Sequence, residues 1–129
     1  AVFAFINNET QRGISSDRII IAGFSQGGAV AFEAALSFPQ KLAGLLALST
    51  YFATKDTIEY HPENQGLAIA IHHGENDSIV PIKLAEISSS LLLAKGYKVD
   101  LTHYPMEHSV CREQIADISN WFSDVLQLK

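Results

Sequence analysis

The sequence has 129 residues, of which 47% are hydrophobic and 18% charged, with a net charge of −5. These values point to one compact domain with a core of its own rather than a disordered chain. The acidic balance gives nucleic-acid binding no electrostatic support, no apolar run nears the roughly 18 residues that stable membrane insertion needs, and the single cysteine, Cys111, precludes an internal disulfide and points to a reducing, cytoplasmic setting.

Ala1 to Asn8 is apolar and reads as the end of a helix that can run on to Arg12, with Gly13 as its stop. A chain that opens on Ala1, inside a helix, is expected to be a fragment or a processed product. Ser15-Ser16-Asp17 is a turn, and Arg18 to Phe24 (RIIIAGF) is β-branched and nearly all apolar, the pattern of a strand buried on both faces. Gly23 to Gly28 interrupts that pattern before an Ala-rich helix from Ala29 to Phe38, ended by Pro39. Leu42 to Thr50 is a second buried strand, Tyr51 to Gln65 is irregular with room for a short helix, and Leu67 to His72 is a third strand closed by His73-Gly74. Ile82 to Lys95 reads as a helix stopped by Gly96, and Lys98 to Tyr104 as a fourth strand. Val110 to Leu126 reads as an amphipathic helix, with apolar residues at 115, 118, 121, 122, 125 and 126. The alternation predicts an α/β domain over 1–129: a four-stranded parallel sheet with helices on both faces, its ligands at the C-terminal strand ends.

Gly23-Phe24-Ser25-Gln26-Gly27 is G-x-S-x-G, and it falls between a predicted strand and a predicted helix. In that context the pattern describes a sharp strand-to-helix turn that lifts Ser25 above the sheet in a strained conformation. Glycine is expected at both flanks because backbone passes close by, and Gly28 lets the helix approach the sheet. The Gln26 backbone N–H, at the head of that helix, is the expected oxyanion donor.

A serine hydroxyl needs a base, and the base needs a carboxylate to orient it, in the chain order Ser, Asp, His. Asp77 follows the third strand and His108 follows the fourth, both in loops on the same sheet edge as Ser25. His108 is therefore read as the general base and acid, and Asp77 as its partner. Of the other histidines, His72 and His103 fall within strands, His61 lies in a polar loop, and His73 reads as structural, shaping the Asp77 loop. Glu75 is the main rival to Asp77; Asp56 and Glu59 are remote, and Glu107 adjoins His108 and points away from it. Cys111 is three residues beyond His108 but reads as a small, partly buried residue of the last helix rather than a nucleophile. His72 and His73 are strand neighbours on opposite faces, so no metal site is expected there or elsewhere.

Gly23-Phe24-Ser25-Gln26-Gly27-Gly28, His73-Gly74 with Asp77 and Val80-Pro81, and His108-Ser109-Val110 resemble the carboxylesterase/phospholipase family that includes acyl-protein thioesterases. The resemblance spans most of the chain and implies hydrolysis of carboxylic esters or thioesters, on small molecules or acylated proteins. It implies no cofactor and a homodimer, and it maps the triad onto Ser25, Asp77 and His108. Three positions depart from the family pattern: Ser78 where proline usually follows the aspartate, Glu107 where glycine often precedes the histidine, and Thr50 in place of the glycine of Ser-Gly-Tyr. The family fold also has strands before the nucleophile, including the loop that supplies a second oxyanion N–H. On that basis the expected object is a truncated α/β-hydrolase fold. The alternative to a working enzyme is a weakly active or inactive half-domain that self-associates through the exposed edge of its first strand.

Overall fold

The computed structural model describes residues 2–128; Ala1, the expected opening of the first helix, lies outside them. The order is α1 (Val2–Gln11), β1 (Ile20–Phe24), α2 (Gln26–Ser37), β2 (Gly44–Leu48), β3 (Ala68–Gly74), α3 (Ile82–Ala94), β4 (Lys98–Tyr104) and α4 (Arg112–Leu126), with one-turn 3-10 helices at Ser16–Arg18 and Pro62–Asn64. The strands form one parallel sheet in the order β1-β2-β3-β4.

Strand alternation divides the core between two faces. Leu45, Ala47, Ile69 and Ile71 share one face with Ile6 of α1, Phe32 and Leu36 of α2, and Ala85 and Leu92 of α3, all buried in one cluster. Phe32 stacks on Phe52 of the β2–β3 connection at 5.2 Å between ring centres. Full burial of side chains such as Leu45 and Ile71 is worth about 1.5–3 kcal/mol each, so this layer carries much of the fold's stability. The opposite face presents Leu46, Ala70 and His72 to α4, whose Trp121 ring lies on Gly44. Helices therefore cover both faces, as predicted.

The polar connection from β2 to β3 is fastened by Asn64, which is 1% exposed. Its carbonyl oxygen accepts from the Leu42 N–H at 2.8 Å, and its amide donates to the carbonyls of Phe38 and Gln40, both at 2.9 Å. Buried backbone groups in an irregular segment require partners of this kind.

Two expectations change. The helix after Ser25 begins at Gln26 rather than Ala29, because Gly27 and Gly28 belong to its first turn. β1 is not buried on both faces: all five of its residues are half-buried or exposed, with Ala22 and Phe24 exposed. Its apolar run matches a central strand, but the strand order puts it at the edge.

Candidate active site

β1 ends at Phe24, α2 begins at Gln26, and Ser25 makes the whole connection with φ 56° and ψ −119°. A side chain with positive φ costs of order 1–3 kcal/mol and persists only where its surroundings enforce it. Here the Ser25 N–H donates to the Leu48 carbonyl of β2 at 2.9 Å, and the Ser25 carbonyl accepts from Gly28 at 3.0 Å. Gly23 is required for this turn, since a Cβ there would overlap the Gly27 carbonyl. Gly27 is not: nothing lies within 4 Å of where its Cβ would sit, so the expectation of two obligatory glycines holds only on the N-terminal side.

The other two predicted residues come from the ends of β3 and β4. Gly74 brings their loops together, because the carbonyls of Met106 and Glu107 occupy the space a side chain at 74 would take. The Asn76 N–H donates to the Met106 carbonyl at 3.0 Å and the Glu75 N–H to the Tyr104 carbonyl at 2.8 Å. Within this double loop His108 Nδ1 donates to Asp77 Oδ2 at 2.7 Å, and Ser25 Oγ lies 3.1 Å from His108 Nε2. The three residues are 83 and 31 positions apart across the two contacts, so the sheet alone unites them.

The Asp77 side chain is fully buried. Burial alone would raise its pKa, but the Val80 N–H, the His108 ring and the Ile79 N–H offset this and hold the carboxyl below its usual value. Oδ1 accepts from Ile79 at 2.9 Å and from Val80 at 2.8 Å, which leaves Oδ2 to His108. An ionised, fixed carboxylate of this kind favours one imidazole tautomer and stabilises the charge that the ring acquires on taking a proton.

The rivals are placed elsewhere. Glu75 pairs with His103 on the exposed end of β4. His61 accepts from the Glu63 N–H and caps the one-turn helix at Pro62–Asn64. His72 and His73 do face opposite ways: His72 meets Gln114 of α4, whereas His73 meets the Val80 carbonyl in the Asp77 loop at 2.6 Å. Cys111 caps α4 and its backbone N–H bonds Gln114, so it is not a body residue of the helix as expected. Glu107 is exposed.

Sequence reasoning did not single out Phe24, whose ring lies 4.9 Å from that of His108 and is 39% exposed. It also missed the orienting role of Gly74, although the His-Gly pair was the available signal. An open cleft beside His108 is lined by Asn76, Ser78, Ile79, Met106 and Glu107. Two of the departures from the family pattern, Ser78 and Glu107, are therefore on its wall. Among the described residues no group of His, Cys, Asp and Glu is arranged to hold a metal ion, and no helix is long and apolar enough to cross a membrane.

The sequence profile of the phospholipase/carboxylesterase family matches residues 1–126. An acyl-protein thioesterase 1 from Neurospora crassa is 37% identical over 126 residues, which cover 94% of this chain and 51% of that protein. One from Yarrowia lipolytica is 32% identical over 126 residues, covering 94% and 56%. The crystal structure of Arabidopsis thaliana SOBER1 superposes with a TM-score of 0.92 at 26% identity, covering 97% of this chain and 61% of that one. A Bacillus cereus carboxylesterase, at 15% identity and a TM-score of 0.81, shares the fold. The chain thus spans between half and three-fifths of the length of the curated relatives it matches.

Proposed function

From the premise that the chain belongs to the phospholipase/carboxylesterase family, we propose that it is the part of a serine hydrolase, cleaving carboxylic esters or thioesters, that carries the whole catalytic triad. The observation that carries the reading is the unbroken hydrogen-bond path from Ser25 through His108 to Asp77, at 3.1 and 2.7 Å. As Ser25 Oγ attacks the acyl carbon, His108 Nε2 takes its proton, and the resulting imidazolium is held against the Asp77 carboxylate. The tetrahedral oxyanion faces the head of α2, where the Gln26 N–H donates to it. His108 then returns the proton to the departing alcohol or thiol, leaving the acyl group on Ser25. Water repeats the sequence in reverse, with His108 again as base, and releases the acid. Thioesters enter the proposal because the curated relatives are acyl-protein thioesterases.

The test is covalent labelling with a fluorophosphonate probe, with thioester and p-nitrophenyl ester hydrolysis followed in parallel. Labelling at Ser25, lost in Ser25→Ala and strongly slowed in His108→Ala, is expected. An unlabelled wild-type protein, or labelling that survives Ser25→Ala, overturns the reading.

A second reading concerns assembly and rests on β1. Its outer edge is unpaired by any strand among the described residues, and its Ala22 and Phe24 are exposed. We propose that two copies associate through this edge.

A further inference from the structure

Two buried polar atoms near the triad have no partner: Ser49 Oγ and His73 Nδ1. Both residues are 0% exposed. A buried polar group left unpaired costs about 1–3 kcal/mol, so two at adjacent positions call for an explanation. They are adjacent because Leu48 and His72 are register partners and the Ser49 N–H donates to the His72 carbonyl at 2.9 Å. Ser49 is the first residue after β2, and His73 is the next residue of β3. Ser49 also has φ 51°, a second positive-φ side chain one strand away from Ser25.

The other nitrogen of His73 has a definite task. Nε2 lies 2.6 Å from the Val80 carbonyl, which can only accept, so Nε2 carries the proton. In that tautomer the neutral ring keeps its lone pair on Nδ1, the atom without a partner. The same Nε2 lies 3.5 Å from Asp77 Oδ2, the oxygen that holds His108. The Val80 N–H, in turn, donates to Asp77 Oδ1 at 2.8 Å. His73 thus holds the Val80 end of the loop whose N–H groups fix the Asp77 carboxylate, and stands behind the oxygen that orients the base.

We propose that Ser49 and His73 form a positioning relay for the triad, in which the Ser49 hydroxyl donates through one buried water to His73 Nδ1. This locks the Nε2–H tautomer, and the Nε2–H holds the Val80 carbonyl and with it the Asp77 carboxylate. A buried water of this kind needs at least two polar partners, and these two orphan atoms supply them. Neither residue touches the reacting atoms; each acts through Asp77. The inference rests on the esterase reading for its kinetic consequence but not for its geometry.

The test uses His73→Phe, which fills the space without a donor, His73→Gln, whose amide nitrogen reaches the Nε2 position, Ser49→Ala and the double variant Ser49→Ala/His73→Gln. His73→Phe is expected to lower kcat roughly 10- to 100-fold with KM unchanged, as misplacement of a catalytic group does. His73→Gln is expected to restore most of that loss. Ser49→Ala is expected to lower kcat several-fold on its own but to add nothing to His73→Gln, which has no Nδ1 to serve. The low-field NMR resonance of the His108 Nδ1–H should move in His73→Phe and return in His73→Gln, and this readout does not depend on turnover. If wild-type protein neither labels nor turns over, the esterase reading fails while the resonance still tests the relay. Unchanged kcat and resonance in a folded His73→Phe, or full additivity of Ser49→Ala with His73→Gln, overturns the relay. If His73→Phe does not fold, the Ser49→Ala arm and its additivity decide.

Discussion

Ser25 sits at a conflict between stability and chemistry, and the conflict has a measurable size. Its φ of 56° is a conformation that a Cβ disfavours, and three backbone hydrogen bonds from the sheet and the first turn of α2 hold it there. The conformation lifts Oγ to within reach of His108 Nε2. Removing the hydroxyl alone leaves the strain, because alanine keeps the Cβ. Removing the Cβ releases about 1–3 kcal/mol of strain, against about 0.5–1 kcal/mol of extra entropy that glycine brings to the unfolded chain. The first effect is the larger. Ser25→Gly is therefore expected to be more stable than Ser25→Ala by about 1 kcal/mol in urea unfolding, with neither variant taking up a fluorophosphonate. Equal stability of the two would place the strain elsewhere.

At the level of elements, α4 is attached through polar contacts as well as through Trp121. Gln114, wholly buried, donates to His72 Nδ1 at 3.3 Å, and Asp117 accepts from the Tyr104 hydroxyl at 2.7 Å. Burial pulls the His72 pKa below its usual value, and the Asp117 carboxylate opposes this only in part. Burial first, and then the bond to Asp117, push the Tyr104 hydroxyl up, so it stays a donor at any ordinary pH. The sign for His72 is set by its low affinity for protons in the folded state. Below its ordinary pKa of about 6.5 the unfolded chain binds more protons than the folded one, so its contribution to stability is full above that pH and is lost as pH falls through the folded value. One such group adds at most about 1.4 kcal/mol per pH unit to the slope. His72→Asn, which keeps an acceptor for Gln114 but cannot titrate, is expected to show a flatter fall in unfolding free energy between pH 7 and pH 5. An unchanged slope would mean that α4 is not held through a neutral His72.

At the level of the whole molecule, the elements and the meeting of Ser25, Asp77 and His108 could be read from sequence because each has a local signature. The α/β alternation, the G-x-S-x-G turn and the Asp and His at later strand ends are all written in short stretches. What could not be read depends on strands meeting. The orphan pair Ser49 and His73 exists only through the β2–β3 register, and Gly74 matters only because the Met106–Glu107 backbone crosses it. β1 shows the same limit from the other side, since its composition describes a strand covered on both faces while it is the edge strand of the described sheet. That mismatch leads to a prediction about assembly. An apolar strand with free N–H and C=O groups along one side is a template for pairing, and natural edges are usually guarded by charge, proline or a bulge. Ile20 to Phe24 has none of these. The 129-residue chain is expected to self-associate reversibly in sedimentation equilibrium, and Ala22→Lys, which places a charge on this strand away from Ser25, should shift it toward monomer. Fluorophosphonate labelling of Ser25 should be unaffected by that substitution, since Ala22 is no part of the triad. A wild-type protein that stays monomeric at all concentrations, or an Ala22→Lys variant that associates as strongly, would remove β1 as the interface and leave the catalytic reading untouched.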